Sequence, residues 1–161
     1  MFLKYDVVSF YPSITKELLI KSLRFAQSYI YINNRDIDRI LTARQSFLYH
    51  MDRPWVKIGS EDFNIPMGSF DGARCCEIVG LYLLHQITLK SKGITHKENY
   101  GLYREDGLMV VQGGPSECEK ITQKLRKLFM KEKLEITTEV GKSGTDYLNL
   151  YLDLKNDCYR Q

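Results

Sequence analysis

Cysteine pairs at metal-binding spacing are missing from this chain. Its four cysteines are Cys75, Cys76, Cys118 and Cys158, and no C-x-x-C occurs among them, which removes the usual zinc modules. His50, His85 and His96 share no ligand spacing either. No run approaches the ~18 apolar residues of a membrane span. Lys4 and Asp6 interrupt the N-terminal stretch where a signal peptide needs an apolar core, so an intracellular protein of cytoplasm or nucleus, with reduced thiols, is expected. Excess charge is small, at +3. That value neither argues for nor excludes a nucleic-acid partner. Low-complexity segments and internal repeats are absent. What is present is 43% hydrophobic and 27% charged residues in 161, the composition of a folded protein and a length that suggests one domain over residues 1–161.

Periodicity gives the element order. Phe2 to Val8 reads as a short strand interrupted by Lys4, and Pro12-Ser13 turns the chain into a helix carrying Leu19, Leu23, Ala26 and Ile30 at helical spacing. Asn33-Asn34 breaks that helix. Asp36 is placed to cap a second one with the stripe Ile37, Ile40, Leu41 and Leu48. Trp55 to Ile58 reads as a short strand, and Ile65-Pro66-Met67-Gly68 as a loop. A third helix spans about 73–90, with Cys76, Gly80, Leu83 and Ile87 on one face and Gly93 ending the region.

The stretch from Tyr100 to Val111 is the most informative. Strand formers flank Arg104-Glu105-Asp106-Gly107, a turn signal that places two acids at a hairpin tip. Beyond Gly113-Gly114-Pro115, Ser116 and Glu119 have the S-x-x-E spacing of a capping box, before a helix striped by Cys118, Ile121, Leu125 and Leu128. Leu134 to Val140 alternates as a strand, 141–144 is a turn, and Tyr147 to Leu154 alternates as a last strand. This β-α-β-β-α-β order predicts an α+β fold of ferredoxin-like type, an antiparallel sheet with helices packed on one face. The first strand then lies beside the hairpin, and Asp6 approaches Glu105 and Asp106 across 100 residues of chain. Converging carboxylates repel unless a cation neutralises them. Hard oxygen ligands suit Mg²⁺ or Mn²⁺, and two such ions support in-line phosphoryl displacement. Taken singly, each acid also has a structural reading, as a turn residue or a helix cap.

Three motifs in order carry a family resemblance. Tyr5-Asp6-Val7-Val8-Ser9-Phe10-Tyr11-Pro12-Ser13-Ile14 resembles the first catalytic motif of retroelement reverse transcriptases. Ile65-Pro66-Met67-Gly68-Ser69 resembles their second, a Pro-x-Gly loop that touches template and incoming nucleotide. Tyr103-Arg104-Glu105-Asp106 resembles the Tyr-x-Asp-Asp box. The resemblance covers roughly residues 2–154 and implies a polymerase palm. It implies Asp6, Glu105 and Asp106 as catalytic metal ligands with the Val7 carbonyl, Tyr11 as a steric gate against a ribose 2′-hydroxyl, and Gly68 and Lys142 at the substrate. Tyr147 to Leu154 would be the hairpin that grips the primer. The implied partners are template-primer nucleic acid and deoxynucleoside triphosphates, with no membrane.

Three departures qualify what the resemblance implies. Glu105 stands where the family has aspartate, lengthening the side chain by one C–C bond of about 1.5 Å against the strict octahedral demand of Mg²⁺. Met67 stands where many relatives carry glutamine. The family also places fingers before the first motif and a thumb after the last, and Asp6 is close to the first residue, so a fragment of a retroelement reading frame with impaired activity is expected. The alternative is a non-catalytic remnant that binds nucleic acid or a protein. A family-B-like DNA polymerase shares an Asp6-to-Ser13-like motif but needs a Lys-x-x-x-Asn-Ser-x-Tyr-Gly helix and an Asp-Thr-Asp box. A nucleotide cyclase needs a Gly-Gly-Asp-Glu-type hairpin. None of these occurs here.

Overall fold

The computed structural model describes residues 1–45, 48–55, 63, 65–90, 99–154 and 158–160. In chain order the first half comprises β1 (Phe2–Val7), α1 (Phe10–Ser13), α2 (Lys16–Ala26), α3 (Asn34–Thr42), β2 (Leu48–His50), β3 (Arg53–Trp55) and α4 (Gly72–Lys90). The second comprises β4 (Tyr100–Tyr103), β5 (Asp106–Val110), α5 (Pro115–Lys131), β6 (Ile136–Gly141), β7 (Gly144–Tyr147), β8 (Leu150–Asp153) and β9 (Cys158–Arg160). The fold is α+β. The chain divides into two compact units, one formed by Met1–Phe10 with Leu83–Gln161 and the other by Tyr11–Tyr82. Among the described residues no helix is long and apolar enough to cross a membrane.

The first unit is built on a four-stranded sheet in the order β4-β5-β1-β6. Every neighbouring pair is antiparallel. Side chains of a strand alternate between faces, and β1 sorts its residues accordingly. Leu3, Tyr5 and Val7 are buried, while Lys4 and Asp6 are partly exposed on the opposite face. Helix α5 buries Cys118, Ile121, Leu125, Leu128 and Phe129, which includes the whole expected stripe. Phe129 meets Tyr5 edge to face, with ring centroids 5.8 Å apart. Each large apolar side chain removed from water in this way is worth about 1.5–3 kcal/mol, so the periodicity of β1 and α5 is what fixes the acid-bearing face as the open one. A separate three-stranded sheet, β7-β8-β9, completes the unit.

The second unit holds α1 from Tyr11 onward, α2, α3, the β2–β3 hairpin and the first part of α4. Thr15 caps α2 by accepting from the Leu18 amide, and Leu18, Leu19 and Leu23 are buried. Because α2 ends at Ala26, Ile30 falls beyond it and is exposed, unlike its place in the expected stripe. Along α4, Cys75, Cys76 and Val79 are buried, as are Leu83 and Ile87 in the first unit, which matches the expected face.

Several local expectations are corrected. Helix α5 starts with Gly114 as N-cap and no side-chain cap bond. Pro115, whose fixed φ and missing N–H suit a first helical position, opens the helix before Ser116 can act as a cap. Helix α3 is capped by Asn33, whose side chain accepts from the Asp36 amide, rather than by Asp36. Leu48 lies in β2, not in a helix. The expected strand 147–154 is a hairpin, because Leu148 and Asn149 adopt left-handed φ of 48° and 64°, the two-residue turn that matches strand twist. The final strand of the four-stranded sheet is Ile136–Gly141. Residues 56–58 of the expected strand, Gly93 and His96 lie outside the described residues.

Candidate active site

Cross-strand register brings the acids together. Asp6 of β1 is directly opposite Asp106, the first residue of β5. The Val7 amide donates to the Glu105 carbonyl at 3.0 Å. Hydrogen-bonded and non-bonded pairs alternate along an antiparallel ladder, so the Asp6–Asp106 pair is of the closer kind, with Cα atoms about 4.5 Å apart and side chains on one face.

The turn itself differs from the one the sequence suggests. Tyr103 pairs with Asp106, so the two loop residues are Arg104 and Glu105, and Asp106-Gly107 begins the returning strand. Arg104 takes φ 54°, a left-handed conformation that glycine usually occupies in such hairpins. Gly107 is claimed by packing instead. It faces Tyr5 across the ladder, and a Cβ there would lie within the Tyr5 ring. The Tyr5 hydroxyl reaches under β5 to the Gly101 carbonyl at 3.4 Å, and burial pushes its pKa well up.

The electrostatics follow from the register. Partial burial, then the charge of Asp106, then that of Glu105, hold the Asp6 carboxyl above its usual range, with Lys4 opposing them. Lys4 sits on the same face of β1, two residues away. The sequence shows it only as an interruption of the strand. One oxygen of Glu105, Oε2, is shielded from solvent and has no hydrogen-bond partner among the described residues. The Tyr147 hydroxyl donates to the Asp106 carbonyl at 3.1 Å, and burial, then Asp106, raise its pKa. Nothing in the local sequence marks Tyr147 as a neighbour of Asp106, since the contact depends on the β7–β8 turn.

Hard-oxygen donors and an orphaned carboxylate oxygen are the chemistry a divalent cation satisfies. Among the described residues, however, no three His, Cys, Asp or Glu side chains are grouped to hold a metal ion. The unmet carboxylate charge and the donor type fit such an ion, and the ligating arrangement would come from side-chain rotation on a fixed backbone.

The remaining expected site residues are placed elsewhere. Lys142 is exposed, in the β6–β7 connection next to Gly141, and Gly141 pairs with Phe2 at the end of β1 away from Asp6. Four strand residues, about 14 Å at ~3.4 Å each, separate those positions, so the sheet does not bring Lys142 to the acids. Tyr11 and Gly68 belong to the second unit. Tyr11 is buried at the start of that unit. Gly68 has φ 86° and open space where a side chain would go, so its conformation rather than crowding requires glycine. No protein-family model matches the chain, and no curated protein matches it significantly.

Proposed function

We propose that this chain is a reverse-transcriptase-like palm of a retroelement, built for RNA-directed DNA synthesis by two-metal nucleotidyl transfer. The observation that carries the reading is the register of Asp6 opposite Asp106 with Glu105 beside it at the hairpin turn. Two sequence motifs 100 residues apart thus meet at one end of one sheet. Numbering only the four sheet strands in chain order, β4-β5-β1-β6 is the order 2-3-1-4, which supports the ferredoxin-like palm. Asp6, Glu105 and Asp106, with the Val7 carbonyl, would hold Mg²⁺ or Mn²⁺. Such ions when bound supply charge stabilisation to attacking and leaving oxygens, several kcal/mol in kind. The chain's own part is to hold these oxygens on adjacent backbone positions while Lys4 moderates their repulsion. Template-primer and deoxynucleoside triphosphates are the substrates in this reading, with fingers and thumb regions supplying further contacts.

Cation titration followed by NMR at Asp6 and Asp106 tests the site directly. Mg²⁺ or Mn²⁺ should shift both residues, and Asp6→Asn should lower affinity on the order of tenfold, since ligand charge sets affinity. In a primer-extension assay Asp6→Asn should lower the rate about 100-fold or more. A titration that leaves both residues unmoved rejects the reading.

A second reading, a non-catalytic remnant that binds nucleic acid or a protein, is favoured by two observations: Glu105 replaces the shorter acid, and among the described residues the three carboxylates are not grouped for a metal. Glu105→Asp separates the two. Extension gained by that variant alone marks a polymerase site impaired at one ligand, and extension by neither variant favours the remnant.

A further inference from the structure

The loop that carries Pro66-Met67-Gly68 is held by a residue outside every motif. Arg44 follows α3 and is 7% exposed. Its Nη2 is 2.6 Å from Asp71 Oδ1, and its Nη1 donates to Ser69 Oγ at 3.3 Å. Asp71 directly precedes α4, and its carbonyl accepts from the Cys75 amide at 3.0 Å. The neighbouring Gln45 forms a backbone bridge with Phe63. Residues 44 and 45 therefore grip the loop on both sides, before Ile65 and after Gly68.

Within that grip the loop is tightly wound. The Ser69 amide donates to the Pro66 carbonyl at 3.2 Å, and the Gly72 amide to the Ser69 carbonyl at 3.1 Å. Ile65 anchors it at 1% exposure. The tip is the reverse: Met67 is 78% exposed and Phe70 is fully exposed. Large apolar side chains are costly to hold out in water, and a buried arginine is costly to bring out of it. Arg44 Nε is also buried without a partner among the described residues.

We infer that Arg44 is a positioning residue, a latch that fixes the 65–71 loop so that Met67, Gly68 and Phe70 are presented as a preformed surface for template-primer nucleic acid. The substrate half of this inference rests on the polymerase reading above, and the latch half does not. An exposed aromatic on a rigid loop is a stacking surface for a base, and rigidity avoids an ordering cost on binding.

Two readouts keep the halves apart. Chymotrypsin cleavage after Phe70 reports loop rigidity. Binding of a short fluorescent template-primer duplex in Mg²⁺ reports substrate contact, with Mg²⁺ affinity of the acids as the control for folding. Arg44→Met and the gentler Asp71→Asn should each raise cleavage at Phe70 about tenfold, weaken duplex binding about 5- to 10-fold, and leave Mg²⁺ affinity within twofold. Ser69→Ala should show the same pattern more weakly, and Arg44→Lys should recover part of it. Unchanged cleavage in both Arg44→Met and Asp71→Asn overturns the latch. Loosened cleavage with undiminished duplex binding overturns the positioning role. Wild-type protein that binds Mg²⁺ but no duplex overturns the substrate assignment, while the cleavage result still tests the latch. Should Arg44→Met fail to fold, Asp71→Asn and Ser69→Ala support or overturn the latch in the same way.

Discussion

The two units hold their motifs by different means. In the first, the acids are fixed by backbone: Asp6 and Asp106 face each other across one rung of a ladder whose register is set by burying Leu3, Tyr5 and Val7. A slip of one residue would turn the whole apolar set outward, so core packing and site geometry are a single specification. In the second, the Pro66–Asp71 loop has no ladder to define it. It is fixed by the Arg44–Asp71 ion pair, the Arg44 bond to the Ser69 hydroxyl and a few turn bonds. Ladder-held geometry should resist single side-chain changes except where packing touches the backbone, whereas latch-held geometry should yield to the loss of one charge.

Substitutions can break or sharpen that contrast. The largest effect is expected at Gly107→Ala, because the added Cβ has no room beside the Tyr5 ring. Overpacking of this kind costs about 3 kcal/mol, which urea denaturation would read as a lowered midpoint, and a smaller loss would show that the buried Tyr5 ring can turn aside. Asp71→Asn should follow at about 2 kcal/mol, the order of cost for leaving a buried charge poorly partnered. Its signature should be hydrogen exchange that rises in 65–71 and stays unchanged in β1.

Asp6→Asn should act in the other direction. The folded pKa of Asp6 lies above its unfolded value, so the native state binds this proton more tightly. Unfolding free energy therefore falls as pH rises from the ordinary aspartate range of about 3.9. The substitution should raise the melting temperature at pH 7, and the gain should vanish below about pH 3.9, as calorimetry at the two pH values would show. Lys142→Ala should be the smallest, within about 0.5 kcal/mol in stability and within twofold in Mg²⁺ affinity, since Lys142 is exposed at the end of the sheet away from Asp6.

How much of the fold and the site was legible in the sequence depended on whether the signal was local. The buried faces of α4 and α5 followed from periodicity, because burial is what periodicity encodes, and the meeting of β1 with the hairpin followed from the order of the elements. The turn did not. Asp106-Gly107 has the strongest local turn signature in the chain, yet Gly107 is required by the Tyr5 ring on the neighbouring strand, and the turn moved to Arg104-Glu105 at the expense of a left-handed arginine. Pro115 likewise displaced the capping box of Ser116 and Glu119. The alternation from Tyr147 to Leu154 concealed a hairpin, whose turn pair Leu148-Asn149 includes a residue that tolerates left-handed backbone readily. Arg44 had no local signal at all, because an arginine after a helix is ordinarily solvated and only the fold supplies Asp71.

The Tyr147 hydroxyl has a mechanical consequence. Its bond ends on the backbone of Asp106, not on a side chain, so the ribbon of β7 and β8 is moored to the very residue that begins the returning strand. That oxygen is a tie between the two sheets in addition to the short β6–β7 connection.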